Sequence, residues 1–151
     1  TTEVFNGGGL QIGKAAPGDV KFDLPDNHPD FGQDIAAYYL WLFPNMMFNF
    51  YPWGLSVNIV IPVSPSQTRV LYRGYVKDEN LAKEGAGSML DTVEIQDQGI
   101  IEQVNKSMRS KFYDRGRYSP TREQGVHHFH RMISTWYSEE VKEINLNEGV
   151  E

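Results

Sequence analysis

Leu55-Ser-Val-Asn-Ile-Val-Ile-Pro-Val63 is the stretch on which the fold turns. Leu55, Val57, Ile59, Ile61 and Val63 occupy every second position, the period of a strand with one face against a core. Ser64-Pro-Ser-Gln-Thr68 follows as a turn and leads into a second strand from Arg69 to Val76. Upstream, Tyr38-Tyr-Leu-Trp-Leu-Phe43 and Met46-Met-Phe-Asn-Phe-Tyr51 read as two more strands, separated by Pro44-Asn45. Short connections between consecutive strands predict an antiparallel meander.

Outward from the meander the pattern changes on both sides. Residues 1–34 are rich in loop formers, with Gly7-Gly8-Gly9, Ala16-Pro17-Gly18-Asp19 and Leu24-Pro-Asp-Asn-His-Pro-Asp30, and predict an irregular segment with one short strand at Leu10–Ile12. The glycine run has no following Lys-Ser/Thr, so it does not read as a phosphate loop. Lys77 to Ser88 reads as a charged loop. A helix should then start at Asp91, whose pairing with Glu94 makes a capping box and whose neighbours Leu90 and Ile95 form a hydrophobic staple. It is expected to run to about Tyr113. Ser119-Pro120 predicts the start of a second helix, with Val126, Phe129, Ile133, Trp136 and Tyr137 as its apolar stripe. Strands followed by two helices predict an α+β fold with helix packed on a curved antiparallel sheet. The expected organisation is a loop-rich edge over 1–34, a folded portion over 35–144 and a solvated, partly disordered tail over 145–151.

Composition narrows the function classes. A chain of 151 residues and 17.3 kDa suits one domain with one core. A net charge of −6 and a pI near 5.2 speak against a nucleic-acid surface. With no cysteine, this chain offers neither a disulfide nor a thiolate ligand. Residues 35–68 carry no Asp, Glu, Lys or Arg, yet Pro44, Pro52, Pro62 and three asparagines interrupt them, so buried strands are expected and a membrane span is not. No signal peptide is visible, and a cytoplasmic location is the expectation.

Asp97 is the residue that points to chemistry. Val93, Ile100, Ile101, Val104 and Met108 recur at helical spacing around it, which puts the carboxylate in the middle of an apolar stripe. A carboxylate on a buried face must be protonated, paired with a cation or bound to a metal. Arg69 or Arg73 could supply the cation, and all three readings stand on the pattern alone. Glu102 lies off the stripe. His127 and His130 are one helical turn apart and could share an ion, but no third ligand is clearly placed, so packing and surface roles are expected for them and for His128. The aromatic run from Tyr38 to Trp53 reads as sheet core, with some rings free to line a cavity for an apolar or cationic ligand.

Several of these residues together resemble a known family. Trp41-Leu-Phe-Pro-Asn45, the strand pair through Ile61-Pro62 and Arg69, Gln96-Asp97-Gln-Gly-Ile-Ile-Glu102-Gln-Val104, Tyr118-Ser-Pro-Thr-Arg-Glu123 and Val126-His-His-Phe-His130 are similar to the C-terminal catalytic domain of Rieske non-haem iron oxygenase large subunits. That family includes ring-hydroxylating dioxygenases and choline and carnitine monooxygenase-like enzymes. The resemblance covers about Tyr38 to Tyr137. It implies a helix-grip fold of the START/Bet v 1 type, a sheet curved around a long C-terminal helix. It also implies that Asp97 is the carboxylate of a two-histidine, one-carboxylate iron(II) triad with positions open for dioxygen. Asn45, Phe48 and Tyr51 are the candidates for lining the substrate pocket. Further implications are a [2Fe-2S] cluster on another domain, NAD(P)H oxidised through a reductase or ferredoxin partner, a small aromatic or quaternary-ammonium substrate, and a homotrimer.

This sequence departs from the family pattern in two respects. The family's two iron-ligating histidines precede the Asp97 region, whereas the one histidine upstream here, His28, sits in a Pro/Asp loop without a partner. The Cys and His ligands of the cluster are absent. The chain therefore reads as the C-terminal portion of a longer polypeptide, silent in catalysis by itself. The competing reading is a helix-grip module that holds an apolar ligand without chemistry.

Overall fold

Six strands form one sheet in sequence order, each antiparallel to the next. They are β1 (Thr2–Phe5), β2 (Gly8–Lys14), β3 (Ile35–Leu42), β4 (Met46–Tyr51), β5 (Gly54–Ser64) and β6 (Gln67–Val76). Two helices follow, α1 (Leu90–Met108) and α2 (Gln124–Glu148). The structure is a computed structural model that describes residues 1–88 and 90–148, and for residues 90, 91 and 141–148 only the backbone. The architecture is α+β, and the expected meander is present from β3 to β6. Among the described residues no helix is long and apolar enough to cross a membrane.

Strand register sorts the side chains onto two faces, because residues opposite one another in an antiparallel ladder point the same way. One row runs Gly9–Trp41–Met47–Asn58–Tyr72 and the next Gln11–Tyr39–Asn49–Ser56–Gly74. Phe129 of α2 meets Trp41 edge-on at 5.0 Å, so this is the face that carries the helix. His128 Nε2 lies 2.9 Å from the Phe5 carbonyl oxygen and ties α2 to the edge strand β1. The opposite face bears Leu40, Phe48, Val57, Ile59 and Leu71, together with the alternating apolar set of β5. There the irregular segment 15–34 crosses one end of the sheet. Phe22 packs on Tyr38 at 5.5 Å, and the Tyr38 hydroxyl donates to Asp30 Oδ2 at 2.8 Å.

The core differs from the sequence expectation. Its most buried apolar residues are Ile35, Ala37, Tyr51, Trp53 and Val57. Tyr51 and Trp53 stack with ring centroids 5.0 Å apart and planes 8° apart, and Tyr39, Leu81, Ala82 and Ala86 close around the cluster that they form with Ala37. Of the alternating β5 set only Val57 is buried, and Val63 is 51% exposed. The period marks the face correctly but does not supply its cover.

Three element boundaries also shift. Residues 1–14, expected to be irregular with one short strand, carry β1 and β2. Gly8 sits in β2 because a Cβ there would fall 2.3 Å from the Trp41 carbonyl oxygen, so part of the glycine run marks a close approach of strands and not a loop. Helix α1 ends at Met108, short of Tyr113, where serines compete for the ladder: Ser107 Oγ donates to the Gln103 carbonyl oxygen and Ser110 Oγ accepts from the Phe112 amide. Helix α2 begins at Gln124, after a turn in which Glu123 Oε2 accepts from the Ser119 amide. It runs through Glu148, so the first residues of the expected tail are helical, and residues 149–151 lie outside the described ones.

Candidate functional site

Helix α1 brings Asp97 to the helical face of the sheet. Tyr72 stands on that face in β6, and its hydroxyl is pushed above the usual tyrosine range first by burial, then by the negative charges of Glu94 and Asp97. Tyr51 is pushed up as well, by burial, by Tyr39 beside it and by the charge of Glu94. The turn of α1 that holds Glu94 and Asp97 thus lies within electrostatic reach of the face that carries Tyr39, Tyr51 and Tyr72. Between these rings the register places Asn49, Ser56 and Asn58. Ser56 is 4% exposed and donates to Asn58 Oδ1 at 3.2 Å. Two carboxylates above a wall of hydroxyl, amide and aromatic groups could bind a cation or orient a polar ligand.

The burial expected for Asp97 is not met. Asp97 is exposed, and so is its stripe: Val93 is 49% exposed and Ile101 65%. An apolar helical period identifies a face that gains by being covered, but it does not say that the cover lies within the same stretch of chain. Neither Arg69 nor Arg73 clasps Asp97 in an ion pair; the Arg73 guanidinium donates to the Tyr72 carbonyl oxygen.

The three pocket candidates do not meet. Tyr51 shares the helical face with Asp97. Phe48 points from the opposite face, in the row with Leu40 and Val57. Asn45 sits in the β3–β4 connection, where its side-chain amide donates to the Val60 carbonyl oxygen at 2.7 Å and its own carbonyl accepts from the Val60 amide. Its side-chain amide nitrogen and backbone carbonyl are thus taken up by β5. Strand register places Phe48 and Tyr51, three residues apart, on opposite faces of the sheet.

Residues that sequence reasoning passed over are Tyr72, Asn49, Ser56 and Asn58. Polar residues do recur at alternate positions within these apolar strands, but which of them share a face with Tyr72 is set by register.

The histidines go elsewhere. His130 Nδ1 is hydrogen-bonded to the Tyr118 hydroxyl, and the Tyr118 ring meets His127 edge-on at 5.0 Å. His28 Nδ1 accepts from the Asp30 amide in the 15–34 segment. Among the described residues no three His, Cys, Asp or Glu side chains converge in a way that could hold a metal ion. An iron ion on two histidines and Asp97 therefore does not fit the described residues by themselves.

The sequence profile of the ring hydroxylating alpha subunit catalytic domain matches residues 14–139, from the end of β2 to the middle of α2. The chain belongs to this family. It is similar to chloroplastic choline monooxygenase of Arabidopsis thaliana, with 31% identity over 102 residues, 64% of this chain and 24% of that protein. The Spinacia oleracea protein of the same name is 29% identical over 112 residues, covering 70% of this chain and 25% of its own length. The Atriplex hortensis protein is 30% identical over 100 residues, covering 62% and 22%. The chain thus spans about a quarter of the length of these relatives. No solved structure matches it.

Proposed function

We propose that this chain is the C-terminal part of the mononuclear iron catalytic domain of a Rieske-type oxygenase. The observation that carries the reading is the family match over residues 14–139, which includes Asp97 and the helical face of the sheet. Asp97 is proposed as the carboxylate ligand of the iron, the other two ligands being histidines on chain upstream of Thr1. Iron held by Asp97 and the two histidines would supply the activation of dioxygen, with electrons that would come from a [2Fe-2S] cluster outside this chain and, through a reductase or ferredoxin, from NAD(P)H. The residues of this chain contribute a wall and a carboxylate. The sheet is proposed to curve around α2 in a helix-grip arrangement, and the assembled protein to be a trimer.

For the substrate, the relatives' name and the wall itself favour a quaternary ammonium compound such as choline. Faces of Tyr39 and Tyr72 with the carboxylate of Glu94 nearby suit a cation that cannot donate hydrogen bonds. An aromatic substrate is the weaker reading, because Asn49, Ser56 and Asn58 make the wall more polar than a flat ring needs. The exposed position of Asp97 favours a second function, a ligand-binding module without catalysis. Incubating the full-length polypeptide with its reductase, NADPH, choline and ¹⁸O₂ separates them. Oxygenase function requires ¹⁸O in the oxidised product. Choline binding with no oxygen consumption would leave only the binding module.

A further inference from the structure

Trp53 ties down both ends of the loop that leads into α1. Its carbonyl oxygen accepts from the amides of Lys77, at 2.7 Å, and Asp78, at 3.1 Å, where the loop leaves β6. Its indole Nε1–H donates to the Ala86 carbonyl oxygen at 3.1 Å, where the loop approaches α1. Between these points Asp78 Oδ1 accepts from the amides of Asn80 and Leu81 and starts a single 3-10 turn at Leu81–Lys83, and Leu81 and Ala82 pack on the Tyr51–Trp53 cluster. Gly87 then passes directly over the stacked rings. Its φ is +82°, and a Cβ there would lie 2.9 Å from Trp53 Nε1 and 2.9 Å from Tyr51 Cε1. Tyr51 and Trp53 are 4% and 5% exposed, so neither ring can move aside. Only glycine satisfies both the backbone angle and the space.

From this seat α1 starts at Leu90 and reaches Asp97 about 10 Å further along its axis. A small tilt at the seat is therefore a larger displacement at the carboxylate. We propose that Trp53 and Gly87 are positioning residues for Asp97: they set the origin and direction of the helix that presents it to the helical face. This rests on the reading of Asp97 as a metal ligand only for its consequence, since the seating itself is a property of the loop.

The test uses Trp53→Phe, which keeps a buried ring but removes the indole donor, and Gly87→Ala, both in the full-length polypeptide, with Asp97→Ala as reference. Two readouts are taken: iron(II) affinity of the mononuclear site, and amide hydrogen exchange resolved by segment. Both variants should weaken iron binding by about tenfold, the scale seen when groups that orient a ligand are removed. They should speed exchange across residues 90–100 while β3, β4 and β5 keep wild-type rates. Unchanged exchange across 90–100 would overturn the proposal. So would equal acceleration in the strands, which would make Trp53 an ordinary core residue. If Asp97→Ala leaves iron affinity intact, the oxygenase reading of Asp97 fails, and the exchange pattern still decides the positioning role.

Discussion

Tyr38 shows how a single side chain can anchor a loop that has no regular structure. Burial, its hydrogen bond to Asp30 and the Asp30 charge raise its pKa from 10.0 to about 12. A folded-state pKa above the ordinary value means that the protonated phenol is favoured by folding. The resulting stabilisation is complete below pH 10 and is lost as pH rises from about 10 to 12. Tyr38→Phe should lower the midpoint of urea unfolding at pH 8 and shrink the loss of stability between pH 8 and pH 11, measured as two unfolding curves per protein. At this scale the sequence was legible for residue type and weak for environment. Asp97 stood out by its place in an apolar stripe, yet its exposure could not be read, because helical period reports which side of α1 is apolar and nothing about what lies against it. Asn45 and Phe48 were legible as parts of an aromatic-rich hairpin. Their separation from Tyr51 became visible only once register assigned the faces.

Elements were read well wherever their period was uninterrupted. The predicted Met46–Tyr51 strand matches β4 residue for residue, and Leu55–Val63 and Arg69–Val76 lie within β5 and β6. The strands β1 and β2 escaped because β1 is a short edge of four residues and β2 opens on glycines that normally signal a turn. Helix α1 was legible from the apolar period of Val93 to Met108, while the expected cap at Leu90 and Asp91 falls on side chains outside the described ones. Its early end was not legible, since serine side chains that bond back to the backbone leave no mark on hydrophobic period. Gly99 in the middle of α1 has open space where a Cβ would go. Gly99→Ala should therefore stabilise the helix in this chain by about 0.5–1 kcal/mol. The check is a rise in ellipticity at 222 nm and in the midpoint of thermal unfolding; a fall in both would show that something packs on that position.

The molecule as a whole is a sheet with helices on one face and apolar surface left over on several sides. Ile100, Val104 and Met108 of α1 and Ile133, Trp136 and Tyr137 of α2 are each at least 40% exposed. Contiguous apolar surface on this scale marks a place where other protein packs. The chain expressed alone should therefore bind the dye ANS and associate at micromolar concentrations in sedimentation velocity, whereas a monomer without dye binding would mean that this apolar surface is covered within the chain. The α+β class and the family were legible in the sequence, because the Leu-Phe-Pro-Asn strand and the Asp97 helix carry enough pattern. The tyrosine and asparagine wall opposite Asp97 was not, since it depends on how six strands align. Whether Asp97 holds iron is decided by the iron stoichiometry of the full-length polypeptide. Iron not belonging to the [2Fe-2S] cluster should fall from about one per chain to near zero in Asp97→Ala and stay near one in Glu102→Gln. Full mononuclear iron in Asp97→Ala would contradict it.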